Sequence, residues 1–357
     1  MSRAYINRIA TAVPPHNVHH AFLAFAASLL ERDAQKLTIF RRLADRAGID
    51  TRFSYLVPDD RTFEIGLPAT QFYARGQFPG TARRMRAFEE YAPLLAESAV
   101  TRLGLNGAAA EISHLVITCC TGFSAPGLDF QIIQRCGLSP SIERTMVGFM
   151  GCYAAMNALK VARHIVRSEP DARVLVVNLE LCSLHLQEST DLNDILAFMI
   201  FSDGCAASLV SAEPAGLAIE SFHTAFAPDT AELITWNIGD GGFEMGLSGR
   251  VPAAIKQLLH RQGREVLHDI PVSEIEHWAV HPGGRSILDA VEQGLETGEN
   301  ALVHSREILR RFGNMSSAAV MFVLQQVMQH ATQGSRGCAM SFGPGVVAES
   351  MLFETAA

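Results

Sequence analysis

Positive charge is scarce in this chain: 29 Lys and Arg stand against 37 Asp and Glu, a formal net charge of −8. That balance excludes nucleic acid or an anionic membrane surface as the main partner, although local arginine patches can still hold an anionic ligand. A membrane-spanning run is absent too. "AFLAFAASLL" (Ala21 to Leu30) follows "HNVHH" without a basic lead and runs straight into "ERDAQK". It is too short to cross a bilayer and reads as an amphipathic helix, not a signal peptide. No low-complexity tract or linker marks a clean domain cut, and no metal-type CxxC spacing occurs among the seven cysteines. An odd cysteine count in a long chain argues for a reduced, cytoplasmic protein whose cysteines are mostly buried filler, with room for one reactive thiol. Glycine-rich "IGDGGFEMG" lacks the strand–GxGxxG–helix context, which disfavours a dinucleotide site. The histidines His16, His19 and His20 lack metal spacing and read as solvated.

What is present is apolar substance with a rhythm. The 357 residues, 48% of them hydrophobic, can bury a sizeable core as two domains or one large α/β unit. From about residue 90, short β-rich runs alternate with helical patterns. "HLVITCCTG" precedes "APGLDFQIIQRCGL", "TMVGFMGC" precedes "YAAMNALKVARHIVRS", and "ARVLVVNLELCS" is a continuous apolar strand. The C-terminal part repeats the order with "EHWAVHPGG", "SILDAVEQGL" and "GNMSSAAVMFVLQQVMQHA", then closes as a strand pair around Gly-Pro-Gly. Such strands, joined by helices, predict a parallel or mixed sheet between helical layers. Gly151-Cys152 and Gly313-Asn314 each open a helix, which hints at a duplicated βαβ plan.

Three residues carry candidate chemistry. Cys152 lies at a predicted helix N-terminus, where unpaired N–H groups and the macrodipole favour a thiolate. Gly151 permits a sharp turn and close approach of a substrate. His281 ends the strand "HWAV" and opens "HPGG", a loop that Pro282 keeps from continuing the strand. Asn314 is an ordinary N-cap type, yet "FGNMSSAAV" surrounds it with small residues, and its amide can donate to an oxygen turning negative. A Cys, His and Asn set serves either hydrolysis through a cysteine or acyl transfer with carbon–carbon bond formation. Spacing alone does not separate them.

"GC" at 151–152, "WAVHPGG" at 278–284, "GNMSSAAV" at 313–320 and "FGPG" at 342–345 occur in that order. Together they resemble the type III polyketide synthases, the chalcone and stilbene synthase superfamily. "CTGFSAPGLDFQ" and "FSDGCAASLV" fit between them. The resemblance implies an α/β, thiolase-like fold with duplicated βαβ halves in a layered α-β-α-β-α architecture. Residues 1–212 would carry the nucleophile, and residues 213–357 the histidine and asparagine. It further implies a homodimer in which Cys152 holds the growing acyl chain. His281 would assist thiolate formation and, with Asn314, bind the thioester carbonyl during decarboxylation. Substrates would be an acyl-CoA starter and malonyl-CoA, with no metal, flavin or nucleotide cofactor beyond that CoA.

The same resemblance marks Phe201 as the junction of the CoA tunnel and cavity, with Ser316, Phe342, Gly343 and Pro344 around the cavity. Met245 stands where plant enzymes carry a second gatekeeper phenylalanine. Ala125 replaces a methionine that crosses the dimer interface, Cys120 and Cys182 replace two threonines, and Ala197 replaces a glycine. Arg42 and Arg46, four apart on one helix face, align with residues that hold CoA phosphates, although a solvated basic face is nearly as good a reading. A third basic position of that set is Ile39, and the glycine before "FGPG" is Ser341. Loss of aromatic lining at Met245, together with Ala125, predicts an aliphatic starter and alkylpyrones or alkylresorcinols. Malonyl-primed naphthol formation also fits the two cysteines. The competing readings are a ketoacyl synthase III-like enzyme making one condensation on a carrier protein, and a cysteine hydrolase. A non-catalytic protein that merely keeps the fold has no support in the sequence.

Overall fold

The computed structural model describes residues 2–57, 72–105, 107–298 and 300–356. Its strands, in chain order, are β1 (Ala4–Ala12), β2 (His16–Asn17), β3 (Phe53–Ser54), β4 (His114–Cys119), β5 (Glu143–Gly148) and β6 (Val174–Leu181). Then come β7 (Asp203–Ser211), β8 (Leu217–Phe226), β9 (Ile234–Gly239), β10 (Gly242–Leu247), β11 (His277–Val280), β12 (Arg336–Gly343) and β13 (Val347–Thr355). The helices are α1 (His19–Leu29), α2 (Ala34–Arg46), α3 (Thr81–Leu103), α4 (Leu128–Cys136) and α5 (Ala154–Ser168). They continue with α6 (Leu192–Ile200), α7 (Val251–Val266), α8 (Arg285–Leu295), α9 (Val303–Phe312) and α10 (Ser317–His330).

One strand plan is used twice. β4 runs parallel to β6, β6 antiparallel to β7, and β7 antiparallel to β1. In the second half β11 runs parallel to β12, β12 antiparallel to β13, and β13 antiparallel to β8. The halves meet at β1, which pairs with β7 along its length and with β8 through Ala4–Ile6. A nine-stranded sheet results, in the order β11-β12-β13-β8-β1-β7-β6-β4-β5. The "FGPG" segment forms the expected hairpin, with Gly343 opposite Val347.

Side-chain alternation then builds the layers. Val116, Val174 and Val176 of the first half share a core with Ala279, Ala339, Met351 and Phe353 of the second, and α5 and α10 fill the space between them. The first two turns of α10, Ser317 to Leu324, are buried on every side and almost wholly apolar, as an enclosed helix must be. The opposite faces pack against α1, α3, α4 and α6 in the first half and against α7 and α8 in the second. Helix, sheet, helix, sheet, helix is the outcome, a layered mixed α/β structure of the thiolase-like kind.

Two details depart from the sequence reading. The strand β5, drawn as a buried apolar run, is a largely exposed edge strand in which Met146 faces outward. The histidines near the N-terminus are not uniformly solvated, because His19 is buried and its Nδ1 accepts a hydrogen bond from Arg52 Nε at 3.0 Å. Among the described residues, no helix is long and apolar enough to cross a membrane.

Candidate active site

Cys152 lies in a 3₁₀ turn, Gly151–Tyr153, that leads directly into α5. The glycines around it are steric necessities. Gly151 has φ +76°, and a Cβ there would lie 2.3 Å from Pro344 Cδ. Gly343 faces the same turn, where a Cβ would come within 2.6 Å of Tyr153 Cδ1 and 3.3 Å of the Cys152 nitrogen. The "FGPG" hairpin is thus seated against the nucleophile's own turn. Replacing Gly151 with Ala should cost about 2–4 kcal/mol, summing a left-handed backbone penalty and overpacking against Pro344. Thermal unfolding of Gly151→Ala measures it, and an unchanged melting temperature would refute the packing argument.

Short contacts link two of the three candidates, Cys152 and Asn314, through Ser316. Asn314 Nδ2 donates to the Gly283 carbonyl at 3.1 Å, and Asn314 Oδ1 accepts from the Ser316 N–H at 2.8 Å. Ser316 Oγ donates to Cys152 Sγ at 3.6 Å. A Cβ on Gly283 would meet the His281 ring at 3.4 Å, so that ring lies beside the peptide held by Asn314. Ser316 itself adopts φ +47°, a strained backbone at the start of α10. His281 is 1% exposed, and neither ring nitrogen has a hydrogen-bond partner. Buried polar atoms left without partners are rare and mark strain or function.

Burial sets the protonation states. Desolvation lowers the His281 pKa to about 3, so the ring rests as a neutral imidazole. Desolvation also pushes the Cys152 thiol up to about 11, against a smaller downward pull from the Ser316 hydrogen bond, while the Glu180 carboxyl adds to the rise. The resting group is therefore the thiol, although the sequence reading expected the helix terminus to hold a thiolate. Cys120 and Cys182 are pushed well above the ordinary thiol range by their own burial. Cys120 Sγ accepts the Gly151 N–H at 3.0 Å.

A cavity of about 50 Å³ opens beside Cys152, lined by the expected Cys120, Cys182, Ala197, Phe201, Met245, Ser316 and Pro344. Phe342 points elsewhere, into the core with Trp278 and Met340. Ala125 is exposed and does not line the cavity. Sequence reasoning missed the aromatic part of the wall. Trp236 donates from Nε1 to the Cys120 carbonyl at 2.8 Å, and His185 stacks on Phe243 with ring centroids 4.1 Å apart. It also missed Glu180, a buried carboxyl that accepts from Ser317 Oγ at 2.6 Å, Cys120 N at 3.0 Å and Thr121 Oγ1 at 3.1 Å. Desolvation raises this group to about 7 against those hydrogen bonds. A lone acid inside apolar "VLVVNLELCS" was the available signal.

A second cavity of about 700 Å³ lies between the end of α2, α6 and the start of α8. Arg46 and Arg285 line it, together with Gly283 and Ile200. Arg42 is exposed and is not part of that wall, whereas Arg285, immediately after "HPGG", had drawn no attention in the sequence. Asn314 N donates to the Ile200 carbonyl at 2.9 Å, so the cavity reaches the peptide next to Asn314.

Residues 2–214 match the family model for the chalcone and stilbene synthases, N-terminal domain, and residues 218–357 match that for the C-terminal domain. An "Alpha-pyrone synthesis polyketide synthase-like Pks18" of Mycobacterium tuberculosis is 36% identical, over 98% of this chain and 91% of that protein. A 1,3,6,8-tetrahydroxynaphthalene synthase of Streptomyces peucetius is 32% identical over 96% and 90% respectively. Among solved structures, PKS-I from the brown alga Ectocarpus siliculosus superimposes with a TM-score of 0.87 at 30% identity, covering 99% of each chain.

Proposed function

The chain belongs to the chalcone and stilbene synthase family, and from that premise we propose an iterative synthase that loads an acyl-CoA starter onto Cys152 and extends it with malonyl-CoA. The observation that carries this reading is the linked set Cys152, Ser316, Asn314 and Gly283, with an unpartnered neutral His281 beside it. His281 takes the Cys152 proton, sulfur attacks the starter thioester, and CoA leaves as its thiol with a proton returned. Malonyl-CoA then loses carbon dioxide, and the electron pair of the broken bond forms an enolate at the thioester oxygen. A neutral imidazole N–H and the second N–H of Asn314 can donate to that oxygen. The enolate carbon attacks the Cys152 thioester, the chain moves to the malonyl-derived CoA, and the freed thiolate is ready to reload. In this reading Arg46 and Arg285 hold CoA phosphates, the charge-assisted contacts that guanidinium groups make well.

We take the starter to be aliphatic and the product an alkylpyrone or alkylresorcinol. The cavity wall next to Cys152 is mainly apolar, and unbranched Met245 can move aside for a chain. The name of the Mycobacterium tuberculosis relative points the same way for that protein. Mass spectrometry of products from purified protein, malonyl-CoA and short, long, aromatic and malonyl-only primers decides the matter. Multiply extended, cyclised products with fatty starters preferred are expected. Equal turnover of aromatic and fatty starters removes the cavity argument; single condensation or free acid alone overturns the reading.

A cytoplasmic homodimer completes the proposal. Its support is the exposed edge strand β5 with apolar Phe123, Phe130 and Met146 uncovered, and seven unpaired cysteines. Sedimentation of the purified chain should give twice the mass of one chain, and a monomer at micromolar concentration would overturn it.

A further inference from the structure

A buried arginine grips the peptide that joins the two cavities. Arg52 follows the bend after α2 and precedes β3, and its side chain is fully buried. Its Nη1 donates to the Phe201 carbonyl at 3.0 Å. Its other contacts hold it to α1, with Nε donating to His19 Nδ1 at 3.0 Å and Nη2 to the His19 carbonyl at 3.3 Å. The guanidinium also lies over the Phe22 ring, 5.6 Å from its centroid. His19 accepts at Nδ1 and is neutral, since burial and the Arg52 charge lower its pKa to about 3.

The gripped peptide is the one that fixes Asn314. The Asn314 N–H donates to the Ile200 carbonyl at 2.9 Å, and the Ser202 N–H donates to the Asn314 carbonyl at 3.0 Å. The Phe201 carbonyl held by Arg52 therefore lies between the two anchor points of the Asn314 backbone. Gly313 makes the approach possible, since a Cβ there would lie 2.8 Å from both Arg52 Cγ and the Ile200 carbonyl oxygen. Ser202 adds a third tie, its Oγ accepting from the Phe53 N–H at 2.8 Å. Among the described residues nothing comparable ties Arg52 to Cys152, which rides on the Gly151–Tyr153 turn and α5.

We propose that Arg52 is a positioning residue: through the Phe201 carbonyl it sets the placement of Asn314 and of the Phe201 side chain at the junction of the two cavities. The proposal rests on the functional reading above and assigns Arg52 to the decarboxylation half of the cycle, not to loading of Cys152.

Loading and decarboxylation are separable measurements, which makes the test sharp. Intact-protein mass spectrometry after mixing with hexanoyl-CoA reads acylation of Cys152, and release of labelled carbon dioxide from malonyl-CoA reads decarboxylation. Arg52→Met removes a buried positive charge that interacts electrostatically with the buried Asp203 carboxyl and can unfold the chain, so Arg52→Lys is the deciding variant. Lysine keeps the charge but replaces the forked grip by a single point. Arg52→Lys should load Cys152 within twofold of wild type and decarboxylate at least fivefold more slowly, with the loss in kcat and not in KM. Wild-type decarboxylation overturns the proposal. Equal loss of both steps also overturns it, because that is what a merely structural role produces. Wild-type protein that neither loads nor decarboxylates would instead bring down the functional reading, and the assignment of Arg52 with it.

Discussion

Replacing Cys152 with Ala should lower polyketide formation by about 10⁴-fold or more while leaving malonyl-CoA decarboxylation measurable. The two outcomes separate because two sets of groups are at work. Acyl transfer needs a sulfur that can form and release a thioester, and Cys120 and Cys182 cannot substitute. Burial pushes their thiols well above the ordinary range, and Cys120 is committed to the Gly151 N–H. Decarboxylation needs only donors at the thioester oxygen, and in the proposed mechanism His281 with Asn314 would supply those without the sulfur. Alanine also fits the site, since it removes one atom from a residue already partly open to the cavity. Products are read by mass spectrometry and carbon dioxide by label release, on the same preparation. Retained polyketide formation by Cys152→Ala would sink the assignment of the nucleophile, and simultaneous loss of decarboxylation would make the sulfur part of the malonyl site.

The resting thiol sharpens the same point. With the thiol raised to about 11 by burial, proton removal has to accompany attack, and in the proposed mechanism the neutral His281, whose ring nitrogens have no partner, is the base. An exposed, permanently ionised thiolate would react with any electrophile. A buried thiol reacts with what the cavity admits.

Local features were legible in the sequence where one short stretch carries its own reason. Gly151-Cys152 reads as a turn opening a helix and stands so in the fold, whereas Asn314, expected at a helix start, lies in the turn before α10, whose cap is Ser316 and whose first residue is Ser317. The strand–helix order β4, α4, β5, α5, β6, and later β11, α8, α10 and the closing strand pair, was legible for the same reason, since hydrophobic period is a local signal; β7 to β10, α6 and α9 drew no reading. The join of the halves was not. β1 pairs with Ser211 and Ile219, some two hundred positions away, and nothing in "AYINRIATA" names those partners. The cavity wall failed in a related way. Trp236 comes from the β9–β10 hairpin and His185 from the segment after β6, and only folding brings the first to the Cys120 carbonyl and the second to the Thr121 carbonyl. His19 looked solvated because neighbouring histidines usually are, while its partner Arg52 is 33 positions on. Arg285 escaped notice because a single arginine after a glycine loop has no pattern of its own.

The second large effect belongs to Asn314. Asn314→Asp preserves size and keeps the acceptor for the Ser316 N–H, so the start of α10 should survive. What changes is the other edge of the side chain. An amide nitrogen that donates to the Gly283 carbonyl, with one N–H to spare, becomes a carboxylate oxygen that donates nothing. Loss of one preorganised donor to a developing oxyanion costs about 10²–10³-fold, or about 2.7–4 kcal/mol, and a negative charge beside the enolate adds to it. Malonyl-CoA decarboxylation and chain extension should fall together by that factor at neutral pH, with loading of Cys152 unchanged. The sign of the pH dependence follows from burial. A buried carboxyl facing the Gly283 carbonyl has its pKa raised, and its protonated form regains a donor. Malonyl-CoA decarboxylation by Asn314→Asp should therefore recover as pH falls, opposite in sign to the loading step, which depends in both proteins on removing the Cys152 proton. A variant with unchanged decarboxylation would place the oxyanion elsewhere in the cavity, and one whose activity fell further at low pH would show that the amide acts through shape and not through its N–H.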